Sequence, residues 1–190
     1  TPCGTLFPYT TLFRSARVTR PDGTDTGMPA TCWTCKSPQV PVLMKKGGVA
    51  AFYSKTWKEL EETIHEPIGC LDCHDPETMD LRISRPALKE ALARQGRPVE
   101  EMGDQEMRSL VCAQCHGEYY FSNDPGEHRG EVTFSRKGTY LVFPWDEGMG
   151  GDSMEAYYER RPAFADWKHP ISGAAMIKMQ HPDFEIYSTG

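Results

Sequence analysis

Three short stretches of the chain share one pattern, in which two cysteines are separated by two residues and are followed at once by a basic or imidazole side chain. They are Cys32-Trp33-Thr34-Cys35-Lys36, Cys70-Leu71-Asp72-Cys73-His74 and Cys112-Ala113-Gln114-Cys115-His116. The second and third stretches end in histidine, whereas the first ends in lysine. Because the internal spacing is identical each time, the pattern predicts one chemical task carried out at three places.

C-x-x-C-H is the attachment signature of c-type heme. Two intervening residues set the sulfurs on one turn, where they bond covalently to the two vinyl groups of one porphyrin, and the next side chain reaches the iron as an axial ligand. The sequence therefore predicts three hemes c. The covalent attachment residues are Cys32, Cys35, Cys70, Cys73, Cys112 and Cys115, and the axial iron ligands are Lys36, His74 and His116.

Other sites also use C-x-x-C pairs, but the sequence context is unfavourable to them. Zinc ribbons place two pairs about 15 to 20 residues apart, whereas the gaps here are about twice that and a third pair is left over. A redox C-x-x-C needs a βαβ context, which none of these pairs has. A zinc-binding structural module stays as an alternative that metal analysis and colour distinguish, since zinc gives no visible spectrum.

The lysine in the first motif carries the most information. An amine must lose its proton before it binds a metal, and the reference pKa of lysine is about 10.4, so lysine is a poor iron ligand. An iron with two histidine ligands only passes electrons, whereas a catalytic iron needs an open position. The sequence therefore predicts a reaction centre at Lys36, the alternative being a surface lysine beside a degenerate motif.

Composition and charge exclude some classes of function. The 190 residues carry a formal net charge of −6 and no run of Lys or Arg longer than two, so nothing indicates nucleic-acid binding. No apolar stretch approaches the roughly 20 residues that cross a bilayer, so no transmembrane helix is predicted. With 38% apolar residues, 17 Gly and 15 Pro, the apolar supply is thin, which is compatible with porphyrins filling the interior.

The first fifteen residues have a foreign character. Thr5 to Ser15 reads TLFPYTTLFRS, which is the codon-by-codon translation of a widely used short-read sequencing adapter. We therefore predict that residues 1–15, including the odd cysteine Cys3, are a non-native adapter-derived segment. Residues 16–190 are interpreted as one domain.

Periodicity and capping residues predict a mainly α-helical fold with long loops. Apolar side chains at helical spacing predict a helix over Val49–Ile64, and Ser84 with Pro86 starts another that Gly96 ends. Further helices are predicted at Asp104–Val111, at Met154–Arg160 with Ser153 as its cap, and from His181 to Tyr187. A small β-hairpin of Val132–Phe134 and Tyr140–Val142 is the only one expected.

Four blocks occur in a fixed order along the chain, and the first contains Lys36. They are Cys32-Trp33-Thr34-Cys35-Lys36-Ser37-Pro38, Gly117-Glu118-Tyr119-Tyr120-Phe121, Phe143-Pro144-Trp145-Asp146-Glu147-Gly148-Met149 and Lys178-Met179-Gln180-His181-Pro182-Asp183-Phe184-Glu185. This combination resembles the pentaheme cytochrome c nitrite reductases, which reduce nitrite to ammonia in the bacterial periplasm. The resemblance spans nearly all of residues 16–190.

The resemblance implies an active site around the lysine-ligated heme. Tyr119 and His181 match the family's distal-pocket residues. An arginine upstream of the first motif completes that pocket: Arg17 fits best, because Pro21 follows at the family's R-x-x-x-P spacing, and Arg20 is the alternative. A cationic Arg and a protonatable His suit nitrite, an anion that receives protons while its N–O bonds break, and Tyr119 donates or accepts a hydrogen bond.

The resemblance also implies a calcium ion beside the active heme. Its ligands map onto Glu118, Tyr119, Lys178 and Gln180, whose side-chain and backbone oxygens suit a hard cation.

The implied fold is mainly α, a multiheme cytochrome c fold with long loops wrapped around covalently bound hemes. We expect residues 16–190 to be an incomplete catalytic domain, inactive when isolated, with three of the family's five heme motifs and without the C-terminal hemes. The implied partners are nitrite, a membrane-anchored or soluble cytochrome electron donor and a second copy in a homodimer, and the implied location is the periplasm.

Some alternatives stay open at this point. A multiheme electron-transfer cytochrome without catalysis is the main alternative function, and hydroxylamine or sulfite are further conceivable substrates. His65, His128 and His169 are candidate distal ligands of the second and third hemes, although solvated loop positions are favoured for all three.

Overall fold

The computed structural model describes residues 22–24, 27–122, 140–161 and 165–189. Helices dominate this part of the chain. The α-helices span Gln39–Gly47, Val49–Tyr53, Trp57–Glu61, Pro86–Arg94, Asp104–His116, Gly151–Glu159 and Asp183–Thr189, and 3₁₀ helices span Ala30–Trp33, Cys70–Asp72 and Val99–Glu101. The predicted mainly helical fold is confirmed.

The helix predicted over Val49–Ile64 is wrong in one respect, because the structure breaks it at residues 54–56. Thr56 starts the second half with a capping box: its hydroxyl accepts from Glu59 N at 3.4 Å, and the Glu59 carboxylate accepts from Thr56 N at 2.6 Å. The break lets Trp57 N donate to Met28 O at 2.7 Å. Trp57 then stacks on Trp33 of the first motif, with ring centroids 3.6 Å apart.

The other helix predictions are correct in position, with shifted ends. Pro86–Arg94 begins at the predicted proline, and Asp104–His116 begins where predicted but continues through the third motif. Gly151–Glu159 begins at Gly150 as its N-cap, so the prediction that Ser153 caps it is wrong. Asp183–Thr189 begins two residues after His181. Helix Gln39–Gly47 has no counterpart in the prediction.

The strand prediction needs correction. Tyr140–Val142 is a strand, but its partner is Tyr120–Ser122, and the predicted partner Val132–Phe134 lies outside the described residues. A second antiparallel pair joins Trp167–Lys168 to Ala175–Met176. The described residues therefore hold two small strand pairs where at most one hairpin was expected. The second pair is a local hairpin, whereas the first joins residues 18 to 22 positions apart.

The buried core packs the FPWDEGM block against the helix Pro86–Arg94. Leu88, Leu92 and Trp145 are fully buried within one apolar cluster. Arg94 donates from Nε to Asp146 Oδ1 at 2.6 Å and from Nη2 to Phe143 O at 2.9 Å. The block is therefore fixed against the last turn of the helix Pro86–Arg94.

Gly117 joins the third motif to Glu118 and Tyr119, and close packing requires its lack of a side chain. A Cβ there would lie 2.7 Å from Phe143 Cε1 and 3.0 Å from Trp145 Cζ2. We predict that Gly117→Ala destabilises the heme-loaded full-length protein by about 1 to 3 kcal/mol, because the two buried rings have little room to move. A lower thermal unfolding midpoint is the measurement.

Gly47→Ala is the matched control, since a Cβ at Gly47 meets nothing within 4 Å. Equal unfolding midpoints for the wild type and Gly117→Ala would contradict the packing explanation.

Candidate functional site: three cysteine motifs and an aromatic pocket

Each of the three motifs lies on a helical turn. Lys36 N donates to Trp33 O at 2.9 Å, and His74 N donates to Cys70 O at 2.8 Å. The third motif lies in the helix Asp104–His116. Residues at i, i+3 and i+4 share one face of a helical turn. Both thiols and the following side chain of each motif therefore face one side, as two thioether bonds and one axial ligand of a single porphyrin require.

The thiols and the axial candidates are accessible to a large cofactor. Cys70 and Cys112 are exposed, and the other described cysteines are half-buried. Lys36 and His116 are exposed. Among the described ranges of the chain, no three His, Cys, Asp or Glu side chains form a group that could hold a metal ion, so nothing there supports the zinc alternative.

The hydrogen bonding of the His74 ring is compatible with a role as a metal ligand. His74 Nδ1 lies 2.7 Å from Met79 O, and Met79 adopts a left-handed φ of 65° that turns this carbonyl towards the ring. A ring whose Nδ1 donates to a carbonyl keeps the lone pair of Nε2 for a metal. At the third motif, His116 Nδ1 lies 3.3 Å from Asp183 Oδ2 on the surface.

The motifs contact one another through polar groups that the sequence did not single out. Cys35 Sγ lies 3.9 Å from Gln114 O, which joins the first motif to the third. The buried Arg85 pairs with Asp72 of the second motif at 2.5 Å. Burial raises the pKa of the Cys73 thiol, the Asp72 carboxylate raises it further, and the Arg85 guanidinium lowers it. The charges of Asp72 and Arg85 therefore act on the sulfur of Cys73.

Tyr119 and His181 come together as an aromatic pair beside the first motif. Their ring planes lie 26° from parallel, with centroids 6.1 Å apart. The Phe121 ring also stacks on Tyr119, with centroids 5.7 Å apart. Burial raises the pKa of Tyr119 to about 12, with smaller contributions in the same direction from the Cys35 and Cys32 sulfurs and from Glu118. Tyr119 is therefore a neutral phenol near physiological pH, able to donate a hydrogen bond.

His181 also approaches the third motif. Its ring centroid is 6.5 Å from that of His116, with the planes at 74°. The pair of Tyr119 and His181 thus lies near both the lysine-ended motif and the third motif.

Glu118 ties the GEYYF block to the KMQHPDFE block. Its Oε2 accepts from Gln180 N at 2.6 Å and from His181 N at 3.1 Å, and Tyr158 OH donates to Oε1 at 3.4 Å. Only 1% of Glu118 is exposed, and this burial raises its pKa to about 7, against the opposing effect of the two backbone N–H donors. The contacts bring Glu118, Tyr119 and Gln180 into one neighbourhood.

A second buried acid, Glu185, supports the same neighbourhood and was missed by the sequence reasoning. Its Oε1 accepts from Glu118 N at 2.7 Å and from Trp145 Nε1 at 2.6 Å. Its Oε2 is buried and has no hydrogen-bond partner among the described residues, and burial raises the pKa of this carboxyl. In the sequence, the one indication of a role for Glu185 was its place at the end of the last block.

The other predicted residues lie in loops or outside the described residues. Arg17, Arg20 and His128 fall in the segments that the structure does not describe. Lys178 N donates to Asp166 Oδ2 at 2.7 Å. His169 Nδ1 accepts from two loop amides, and His65 is exposed; both occupy the loop positions that were favoured for them.

Three cysteine motifs on helical turns, carried by a mainly helical chain, define the class of multiheme c-type cytochromes. The profile of the cytochrome c552 family matches residues 1–190. The chain belongs to this family. The match includes residues 1–15, whose adapter origin stays a prediction that sequencing of genomic DNA tests.

Proteins named cytochrome c-552 are similar along the chain. The one from Bacteroides fragilis is 48% identical over 191 residues, covering 100% of this chain and 36% of the relative. The one from Parabacteroides distasonis is 49% identical over 191 residues, with the same two coverages. The one from Maridesulfovibrio salexigens is 43% identical over 175 residues, 92% of this chain and 34% of the relative. The chain therefore spans about a third of the length of these relatives.

A solved structure shares the fold. The catalytic subunit of cytochrome c nitrite reductase from Desulfovibrio desulfuricans, in which two calcium sites are described, is 37% identical to this chain with a TM-score of 0.72. The match covers 91% of this chain and 36% of that subunit.

Proposed function

We propose that this chain is the catalytic segment of an ammonia-forming nitrite reductase, in which nitrite is reduced at the heme of the first motif. The observation that carries the proposal is the pair of Tyr119 and His181, stacked beside the motif that ends in lysine. A pure electron carrier, in which every iron has two protein ligands, has no use for a polar pocket at one motif. The name of the structurally similar subunit supports the same reaction.

The cofactors of this segment are three hemes c. Cys32 with Cys35, Cys70 with Cys73, and Cys112 with Cys115 are the attachment pairs, and the helical turns that carry them support this assignment. Lys36, His74 and His116 would be the side chains that bind the three irons. The full-length protein carries two further hemes, five in all, as the resemblance implies.

A heme held by Cys32, Cys35 and Lys36 would supply the iron that binds nitrite and the electrons of the reaction. The side chains around it bind the anion and move protons. Tyr119, a neutral phenol, donates a hydrogen bond to nitrite or to the partly reduced nitrogen. His181 delivers protons as the N–O bonds break, and Arg17 supplies the cation that attracts nitrite. Reduction to ammonia takes six electrons, which hemes held at the motifs of His74 and His116 would pass on to the first motif.

Glu118, Tyr119, Lys178 and Gln180 would hold a calcium ion, whose charge would stabilise the surroundings of Tyr119 and His181. The donor chemistry fits: the Glu118 carboxylate is buried beside Gln180, and Glu185 adds a second buried carboxyl with an unpartnered oxygen. Two buried acids close together are costly when charged. A divalent cation is the largest local charge in such a site and offsets that cost.

Glu118→Gln is expected to lower the calcium affinity of the full-length protein by about tenfold or more, because it keeps the size of the side chain and removes its charge. Calcium titration followed by elemental analysis measures the loss. Glu62→Gln, at an exposed glutamate, is the matched control. An unchanged calcium content in Glu118→Gln would exclude Glu118 as a ligand.

The setting of the enzyme is also part of the proposal. Its partners are nitrite, a membrane-anchored or soluble cytochrome electron donor and a second copy in a homodimer, and covalent heme attachment supports a periplasmic location. Within the described ranges, no helix has the length and apolar character needed to cross a membrane.

The test uses the full-length protein, matured in a host that attaches heme. Mass spectrometry counts the hemes, and ammonium produced from nitrite is measured with a chemical electron donor. Hemes at all three motifs together with ammonium formation support the proposal. Hemes without nitrite reduction would identify an electron-transfer cytochrome instead.

A further inference from the structure

Arg85 lies in the centre of the structure, between the first two motifs. It is 0% exposed. Its guanidinium donates from Nε to Thr34 O at 2.8 Å and from Nη2 to Ser37 O at 3.0 Å. The same group donates to Asp72 Oδ1 at 2.5 Å and to Ser84 Oγ at 2.6 Å. One side chain therefore links the backbone of the lysine-ended motif to a carboxylate inside the second motif.

Gln114 extends this cluster to the third motif. Its Nε2 donates to Asp72 O at 2.9 Å and to Val111 O at 3.0 Å. Its Oε1 accepts from Ser84 N at 3.0 Å and from Arg85 N at 3.3 Å. Gln114 is 1% exposed, so both ends of its amide are satisfied inside the protein.

The three motifs take part in this cluster through the same position. Thr34, Asp72 and Gln114 are each the second intervening residue of a C-x-x-C pair, directly before the second cysteine. All three are buried, whereas the cysteines beside them are half-buried. This position therefore faces the interior of the protein in every motif.

We propose that Arg85, Asp72 and Gln114 are positioning residues that hold the three heme attachment turns at fixed separations and keep their shared interior electrically neutral. This inference rests on heme attachment at the three motifs, as in the proposed function. Each heme is bonded to its turn through two sulfurs, so the separation of the turns sets the separation of the hemes. The electron path to the first motif then depends on side chains that are neither attachment cysteines nor iron ligands.

The ion pair gives the proposal a distinctive electrical consequence. A buried cation without its partner favours the reduced state of nearby hemes, and a buried anion without its partner favours the oxidised state. Asp72→Asn leaves Arg85 uncompensated, and Arg85→Met leaves Asp72 uncompensated. The two variants therefore shift the midpoint potentials in opposite directions, and the double variant restores neutrality.

The experiment is a spectroelectrochemical titration of the heme-loaded full-length protein and these variants. Asp72→Asn is expected to raise the midpoint potential of the affected hemes and Arg85→Met to lower it, each by about a tenfold change in the ratio of reduced to oxidised heme, which is 59 mV for one electron. The double variant is expected to return close to the wild type. Arg97→Met, at a half-exposed arginine paired with Glu106 on the surface, is the control and leaves the potentials unchanged.

A second variant at the same position keeps the inference testable if Arg85→Met does not fold. Arg85→Lys keeps the charge but cannot reach Thr34, Ser37 and Asp72 together, so it is expected to keep the potentials near the wild type while slowing electron transfer between hemes. Potentials that move in the same direction in Asp72→Asn and Arg85→Met, or not at all, would overturn the inference. A wild-type protein without heme at these motifs would instead overturn the proposed function, and its mass reveals this before any titration.

Discussion

His181→Ala is expected to lower the kcat for nitrite reduction by about a hundredfold or more in the full-length protein. A positioned general acid typically contributes 10²- to 10⁴-fold, and His181 is the imidazole stacked on Tyr119 at 6.1 Å. The attachment cysteines are untouched, so the heme content stays the same. Steady-state ammonium formation with a chemical reductant measures the effect.

His65→Ala is the matched control for this variant, because His65 is an exposed loop histidine that lies outside the pocket. It is expected to keep the wild-type rate. A His181→Ala protein with the wild-type kcat would remove His181 from the chemistry and leave its ring as a packing element.

The second large effect is expected at Lys36→His, which converts the first motif into the form of the other two. We expect nitrite turnover to fall by about a hundredfold, since even the outer-shell partners of metal ligands contribute 10- to 100-fold, while mass spectrometry finds the same number of hemes. The remaining hemes still take up and pass electrons, so reduction of the protein by its donor continues.

Lys45→His controls for the loss of a lysine, because Lys45 is an exposed residue in the last turn of Gln39–Gly47. Wild-type turnover in Lys36→His would contradict the assignment of the first motif as the reaction centre. It would favour the alternative in which Lys36 is a surface residue beside a degenerate motif.

The local features of the site were predictable from the sequence because their signals are local. The spacing of two cysteines and a ligand fits one helical turn, and all three motifs lie on such turns. Pro86 starts its helix as predicted. Tyr119 and His181 were identified through the resemblance of whole blocks, and the structure brings their rings together.

Features that depend on distant partners were not predictable. The break at residues 54–56 allows Trp57 to reach Met28 and Trp33, and the apolar periodicity of Val49–Ile64 contains no trace of that pairing. Arg85 meets Thr34 across 51 positions and Gln114 meets Asp72 across 42. A polar residue inside a C-x-x-C pair is compatible with either a surface or an interior position, so only the fold reveals this cluster.

The central claim is that the lysine-ended motif carries an iron with an open position for nitrite. Electron paramagnetic resonance of the oxidised, heme-loaded full-length protein, recorded with and without nitrite, tests it most directly. We predict a high-spin signal that nitrite perturbs in the wild type. Only low-spin signals, unchanged by nitrite, would mean that every iron has two protein ligands, and would contradict the assignment of Lys36, Tyr119 and His181 to a catalytic centre.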